Sequence, residues 1–423
     1  MAKTILCIAT LDTKGPEAQY MKMLIEKRGH IPLVMDIGSL EDSSYAGDIT
    51  AREVAKAAGS SIEEVRKYEK PGPAAKVMTS GAIKIAKDLY NSGRIDGILA
   101  IGGGMGSSVA SAVMRELPIG FPKFILSSQK IVQAGIRGYV GTKDIGIMPS
   151  VADIAGLNKF TREALRNAVG AIVGMVEFRE GAEISDKPLV FMGTVGTVTA
   201  CGLKVKSFLE QKGFEVVMFH CIGVGGMTIE ELVMSYPVRG VIELALNEIG
   251  NELFGGLASA GPNRLEAAGM KGIPQIIVPG HVRLIQFLEP ETVPDKYRTR
   301  ELIYHNPEAT GVRLKASEMA MVARAVAEKL NRAKGEVKVL IPLNGFSSWD
   351  VKGTESYEAY DGGGERAFTE SLKRNLNPSI TVQEIDAHVN DASFARIVSQ
   401  EFLEAVSHSN TNIDYHNKEV KDV

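Results

Sequence analysis

One pattern of strand, turn, helix and strand is written twice in this chain, 184 residues apart. The first copy contains "LCIATLDTKGPEAQYMKMLIEKRGH" and the second "LVFMGTVGTVTACGLKVKSFLEQKGFEVVMFH". The shift lays Thr10 on Thr194, Thr13 on Thr197, Gly29 on Gly213 and Asp36 on His220, with no gap between them. Ile5–Ala9 is a short apolar run, which suits a strand buried on both faces. Pro16 fits a first helical turn, where its missing N–H costs little, and Glu17 complements the positive helix end. Ala18, Met21, Leu24 and Ile25 then recur at helical spacing, Gly29 is placed to end the helix, and "HIPLVMDIG" returns as a strand. A βαβ unit of this kind puts its strand-to-helix turn at the carboxyl edge of a parallel sheet, where open α/β folds hold ligands. The expected fold is α/β, with two Rossmann-like domains, mostly parallel sheets and a duplicated ancestry. Any two βαβ units share a general likeness; the four anchors go beyond it.

A chain of 423 residues is too long for one ordinary core. The polar run "REGAEISDKP" marks the boundary, so the expected domains are 1–183 and 184–407, followed by a polar tail over 408–423. Residues 43–93 read as helical, with capping boxes at Thr50/Glu53 and Ser60/Glu63. "RIDGILAIGGGMGSSVASAVMRELP" reads as another strand, turn and helix, and Lys159–Phe178 and Ser317–Leu330 as helices. A hydrophobic content of 44% with 23% charged residues describes a soluble globular protein, and a net charge of −3 argues against nucleic acid as a partner. Cys7, Cys201 and Cys221 fit no Cys-x-x-Cys motif, the opening apolar run is too short for a signal peptide, and no window reaches the roughly 18 apolar residues of a membrane span. The expectation is a cytoplasmic protein with no membrane partner.

The sharpest phosphate-binding candidate is "IGGGMGSSVA", in which Gly102, Gly103, Gly104 and Gly106 let backbone N–H groups approach an anion and Ser107 offers a hydroxyl at a helix start. No Gly-Lys-Ser/Thr follows, so it is not a Walker loop, and it matches the dinucleotide fingerprint poorly. The same residues also read as a tight turn with no ligand. Asp12 lies at the same expected sheet edge, either as a Mg²⁺ ligand or as a helix cap, with Thr10 and Thr13 as phosphate donors. Thr142 and Asp144, around Lys143 in "GTKDIG", form a further polar cluster. In the second half, His220 is a candidate base or ligand group at a strand end, Glu230 follows on a helix, and Arg264 suits bidentate binding of a carboxylate or phosphate. His281 and Asp350 stand at further strand ends, completing the candidate catalytic set. There is no Gly-x-Ser-x-Gly elbow, no His-x-x-x-His pair for zinc and no basic, aromatic stripe for nucleic acid.

Taken together, "TLDTKGPE", "IGGGMGS", "MPSVADIAGLN", "HCIGVGGMTIEEL", "FLEPETVPDKY" and "HNPEATGVRL" resemble the ATP-binding family named for the plant tobamovirus-resistance protein, from about Lys3 to Leu376. The resemblance implies two Rossmann-like domains, ATP binding in the amino-terminal one, and a homodimer. It also implies an aspartate where this chain has Arg283, a reversal of charge that would remove a metal ligand or base. The expected function is an ATP-binding enzyme acting on a small phosphorylated or carboxylated metabolite at an interdomain cleft. The alternative is a non-catalytic, ATP-sensing regulatory dimer.

Overall fold

The apolar runs become parallel strands because helices cover both faces of the sheets they form. The structure is a computed structural model that describes residues 1–128, 130–179, 185–300, 302–306, 309–351 and 363–409. It divides into two compact units, one ending at Glu183 and the other beginning at Ile184. The tail expected from 408 lies, from 410 on, outside the described residues.

In the first unit, β1 (Thr4–Ala9), β2 (Ile31–Asp36), β3 (Gly97–Gly102), β4 (Lys123–Ser127) and β5 (Gly146–Pro149) form a parallel sheet in the order β2-β1-β3-β4-β5. Alternate strand residues feed opposite cores. Ile5, Cys7, Leu99 and Ile101 meet the helices Leu11–Lys27 and Lys159–Glu177. Leu6, Ile8, Ile98 and Ala100 meet Val54, Met78, Val109 and Val113 on the other side.

The second unit repeats this scheme and extends it. Here β6 (Leu189–Thr194), β7 (Glu215–His220), β8 (Val238–Glu243), β9 (Gln275–Ile277), β13 (Val337–Pro342) and β14 (Thr381–Ile385) form a parallel sheet in the order β14-β13-β9-β8-β6-β7. An antiparallel sheet, not expected from the sequence, is inserted between β9 and β13. Its strands β10 (Leu284–Phe287), β11 (Leu302–Asn306) and β12 (Ala309–Arg313) lie in the order β10-β12-β11. Both units are therefore Rossmann-like α/β domains with mostly parallel strands. In each, the first strand has its sequence successor on one side and the third strand on the other, so the chain reverses its winding direction between β1 and β3, and between β6 and β8.

The ungapped repeat hides a slip of one residue. β2 and β7 coincide under the shift of 184, but Ala9 pairs with Asp36, whereas Thr194 pairs with His220 and Gly193 with Phe219. Thr10 therefore stands outside its strand as the N-cap of the helix that starts at Leu11. Thr194 is the last residue of its strand, and a 3₁₀ turn, Gly196–Val198, precedes the helix Thr199–Gln211. Gly29 and Gly213 do end their helices alike, with φ of 79° and 90°. Of the two capping boxes, Thr50/Glu53 forms as expected, while the second sits one residue later, on Ser61 and Glu64. The stretch 43–50 is not helical, and the long helix within 43–93 runs Pro71–Asn91, with proline tolerated in its first turn. No helix among the described residues is long and apolar enough to cross a membrane.

Candidate functional site

A cavity of about 500 Å³ opens at the carboxyl edge of the six-stranded sheet in the second unit. The turn after β6 supplies Val195, Gly196 and Thr197, the end of β7 supplies His220, the turn after β9 supplies His281, and the loop after β13 supplies Ser348 and Trp349. The antiparallel insert closes it with Gln286 and Phe287 of β10 and Thr310 of β12.

His281 is the most tightly specified of these residues. Its φ is 50°, in the left-handed region that a side chain rarely adopts. The preceding residue explains why the bend falls there: a Cβ on Gly280 would lie 2.0 Å from the Leu244 carbonyl oxygen, so the chain runs hard against the turn after β8. The His281 amide donates to the Phe346 carbonyl at 3.1 Å. Its ring Nδ1 lies 3.0 Å from the Thr197 hydroxyl, and the ring meets Trp349 edge-on at 5.3 Å.

Asp350 acts behind this wall. Its Oδ2 accepts the Phe346 and Ser347 N–H groups at 2.8 and 2.9 Å, and its Oδ1 lies 2.6 Å from the Arg283 guanidinium. Arg283 also reaches Glu365 at 3.3 Å. Burial pushes the Glu365 carboxyl above the usual carboxylate range, and Arg283 opposes that shift. At the position where the resemblance implies an aspartate, this chain therefore has a buried cation that pins the Phe346–Asp350 loop, and Asp350 does not line the cavity.

Arg264 is likewise used inside the protein. Its Nε donates to Glu248 at 2.6 Å, and its terminal nitrogens donate to Glu243 at 2.7 and 2.5 Å and to Glu230 at 3.2 Å. Glu230 accepts three further N–H groups, from Leu265, Glu266 and Ala267. Glu248 accepts those of Gly223 and Gly226. The guanidinium is 2% exposed and its fork is filled by carboxylates, which leaves no pair of donors for a ligand. Arg264, through Glu248, instead braces the turn Cys221–Gly226 that follows His220, and Glu230 ties the helix after that turn to the Leu265–Ala267 backbone. Of the five candidate catalytic residues, His220 and His281 meet in the cavity, and Glu230, Arg264 and Asp350 stand behind it. Thr197, Gln286, Thr310 and Trp349 were missed. Thr197 was visible as a repeat anchor; Gln286 and Thr310 lie in the inserted strands that the sequence did not mark, and Trp349 lies in the loop that carries Asp350.

In the first unit, Thr10 and the glycine turn adjoin: a Cβ on Gly106 would lie 3.8 Å from Thr10 Cγ2. The N–H groups of Gly104, Met105 and Gly106 open the helix Gly104–Arg115 and have no hydrogen-bond partner among the described residues. Gly103 is open to its surroundings, with only Ser128 Oγ, at 3.9 Å, near a Cβ placed there. Gly102 serves packing, since its Cβ would lie 2.8 Å from the Ser107 amide nitrogen. Ser107 is no phosphate donor. It is fully buried, its hydroxyl donates to the Gly102 carbonyl at 3.1 Å, and it is paired with the Ser127 hydroxyl at 2.8 Å. The Thr10 and Thr13 hydroxyls bond to each other at 3.0 Å.

Asp12 is neither helix cap nor exposed ligand. Its Oδ2 accepts the Ser39 and Leu40 N–H groups at 3.0 and 2.9 Å, and its Oδ1 is buried without a partner. No group of three or more His, Cys, Asp or Glu residues that could hold a metal occurs among the described residues. Asp144 accepts from Gly120 at 2.8 Å and pairs with Lys123 at 2.8 Å. Those contacts put it at the amino ends of β4 and β5, on the opposite sheet edge from the glycine turn, with Thr142 on the same connection.

Relatives match along nearly the whole chain. A UPF0261 protein of Clostridium tetani is 37% identical over 405 residues, covering 95% of this chain and 99% of its own. One of Rhizobium meliloti is 32% identical over 395 residues, covering 93% and 96%. The ToMV resistance protein Tm-1(GCR237) of Solanum lycopersicum is 32% identical over 329 residues, which are 76% of this chain and 43% of the tomato protein. The solved UDP-N-acetylglucosamine 2-epimerase of Rickettsia bellii aligns over 98% of this chain and 99% of its own, but at 10% identity and a TM-score of 0.23, too distant to bear on function. The models of the N-terminal and C-terminal domains of the uncharacterised protein family UPF0261 match residues 3–181 and 187–406, and this chain belongs to that family.

Proposed function

We propose that the protein is an enzyme of small-molecule metabolism whose substrate, a phosphorylated or carboxylated metabolite, is held in the cavity of the second unit. His281 is the acid–base group, with its ring oriented by the Thr197 hydroxyl, and His220 is the second titratable group on the wall. The observation that carries this reading is the left-handed backbone of His281, which costs about 1–3 kcal/mol and persists only where the surroundings impose it. A histidine so placed, with one ring nitrogen tied to an orienting hydroxyl, is arranged as general acid–base catalysis requires.

A nucleotide site in the first unit is a second reading, supported by the unpartnered amides of Gly104–Gly106 beside Thr10. These residues fit a phosphate at a helix N-terminus. An ATP bound there would be held by backbone N–H groups.

Thermal melting against nucleotides and phosphorylated and carboxylated metabolites tests both readings, since a ligand at 100 times its dissociation constant adds about 2.7 kcal/mol. His281→Gln is expected to keep the shift given by the substrate and to lower turnover about 100-fold or more. Full turnover in a His220→Gln/His281→Gln double variant would overturn the enzymatic reading. Gly103→Asp adds a carboxylate where there is room for it, and is expected to abolish protection by ATP.

A further inference from the structure

We infer that His388 and Asn390 are positioning residues for His281. They close a circuit of hydrogen bonds that holds the turn after β6 and the loop after β13 around its ring. Neither residue lines the cavity. The inference deepens the proposed function and rests on that reading of His281 as the acid–base group.

Both residues lie in the connection between β14 and the helix Ala392–His408. That helix shares a core with Thr199–Gln211, in which Phe394 and Val398 join Val205 and Leu209. The connection therefore crosses the carboxyl edge from an outermost strand to the turn after β6. There the Asn390 carboxamide is used at both ends. Its Nδ2 donates to the Thr197 carbonyl at 2.9 Å, and its Oδ1 accepts the Cys201 N–H at 3.2 Å. Those two backbone groups have the i, i+4 spacing of an α-helical hydrogen bond, so the amide fixes how the helix leaves the turn. The Thr197 hydroxyl that meets His281 Nδ1 stands on this turn.

His388 carries the circuit on. Its Nδ1 accepts the Asn390 N–H at 3.1 Å, and its Nε2 lies 2.9 Å from the Ser347 carbonyl oxygen. A backbone N–H can only donate and a carbonyl only accept, so the ring is neutral with its proton on Nε2. The ring is closely seated: a Cβ on Gly345, whose φ is 128°, would lie 2.8 Å from His388 Cδ2. The adjoining Phe346 carbonyl accepts the His281 N–H, which returns the circuit to its start. His281 is thus tied by its backbone to one segment and by its ring to another, and Asn390 and His388 join those segments to each other. An acid–base group displaced by about 1 Å loses on the order of 100-fold in rate, so whatever fixes these segments bears directly on His281.

The test is magnetic resonance of the imidazole nitrogens in the full-length protein at mildly alkaline pH. Signals are assigned by their loss in His281→Gln and His388→Leu. In the natural protein His388 is expected as the pure Nε2–H tautomer and His281 as a single tautomer. Asn390→Ala is expected to lower the melting temperature by a few degrees and to leave His281 averaging between both tautomers. His388→Leu opens the circuit at its other joints and is expected to do the same, so either variant serves if the other fails to fold. Asn331→Ala is the control. The Asn331 carboxamide also bridges backbone, between the Asn375 carbonyl and the Asn377 N–H at 2.8 Å each, at the opposite edge of the sheet. Its loss should cost similar stability and leave His281 unchanged. His388 in any other form, His281 already mixed in the natural protein, or His281 unaltered in a folded Asn390→Ala or His388→Leu variant would each overturn the inference. The last result would mean a purely structural role. If His281 responds as described but His281→Gln leaves turnover intact, the circuit stands and the enzymatic reading fails. If His281→Gln abolishes turnover while Asn390→Ala alters neither His281 nor turnover, the reverse holds.

Discussion

The two units have the same strand order around their first strand, yet their carboxyl edges end up unlike. In the first unit that edge carries a glycine turn with unpartnered amides, and Asp36, the anchor residue on β2, is spent on structure: its Oδ1 accepts the N–H groups of Leu11 and Gly38 at 3.0 and 2.8 Å. In the second unit the matching anchor is His220, which is exposed on a cavity wall, and an antiparallel insert closes that cavity. The interior differs as well. Where β3 ends at Gly102 against a helix backbone, β8 ends at Glu243, held by the buried Arg264. Strand order sets where a ligand can sit, and inserted segments and buried charge decide whether a cavity forms there.

Removing the buried cation breaks this comparison hardest. Arg264→Met leaves Glu230, Glu243 and Glu248 together without their counter-charge and is expected to cost the second unit about 3–5 kcal/mol. Urea unfolding followed by hydrogen exchange reads it: protection should fall across 185–409 and hold across the first unit. Equal loss in both units would mean that they do not unfold separately.

Asp12→Ala comes next and sharpens the contrast from the other side. The Ser39 and Leu40 N–H groups lose their acceptor, at an expected cost of about 1–3 kcal/mol. Melting curves with and without MgCl₂ should show the same difference between the variant and the natural protein, because the carboxylate works on backbone rather than on a metal.

The smallest expected effect is one of pH. Burial raises the folded-state pKa of Asp36 above its ordinary 3.8, against the two backbone hydrogen bonds that lower it. The folded protein then holds that proton more tightly than the unfolded chain does. The resulting stabilisation is complete below about pH 3.8 and is lost as pH rises through the folded-state value. Asp36→Asn should flatten that part of a stability–pH curve. His220→Asn, at the matching anchor, should leave it unchanged.

Much of the fold is legible in local pattern. Ile5–Ala9 reads as a strand because every residue is apolar, and the Thr50/Glu53 cap because both partners lie within one turn. Where a cap is displaced by one residue, as at Ser61, neighbouring residues offer nearly equivalent chemistry and packing chooses between them. Candidate site residues fared differently. Arg264 and Asp350 have the right chemistry for a site but face buried carboxylates and backbone, and Asp144 belongs to the other edge of its sheet. The wall residue Thr310 is an ordinary strand threonine in sequence.

The amino-acid sequence by itself determined that this chain makes strands and helices in alternation, twice over, because hydrophobic periodicity, prolines, glycines and caps act within a few residues of one another. Only the tertiary structure decided which polar groups share a cavity. Its walls come from segments near 196, 220, 281, 310 and 349, and whether a side chain there faces solvent, a ligand or an internal partner depends on packing against residues far away in the chain.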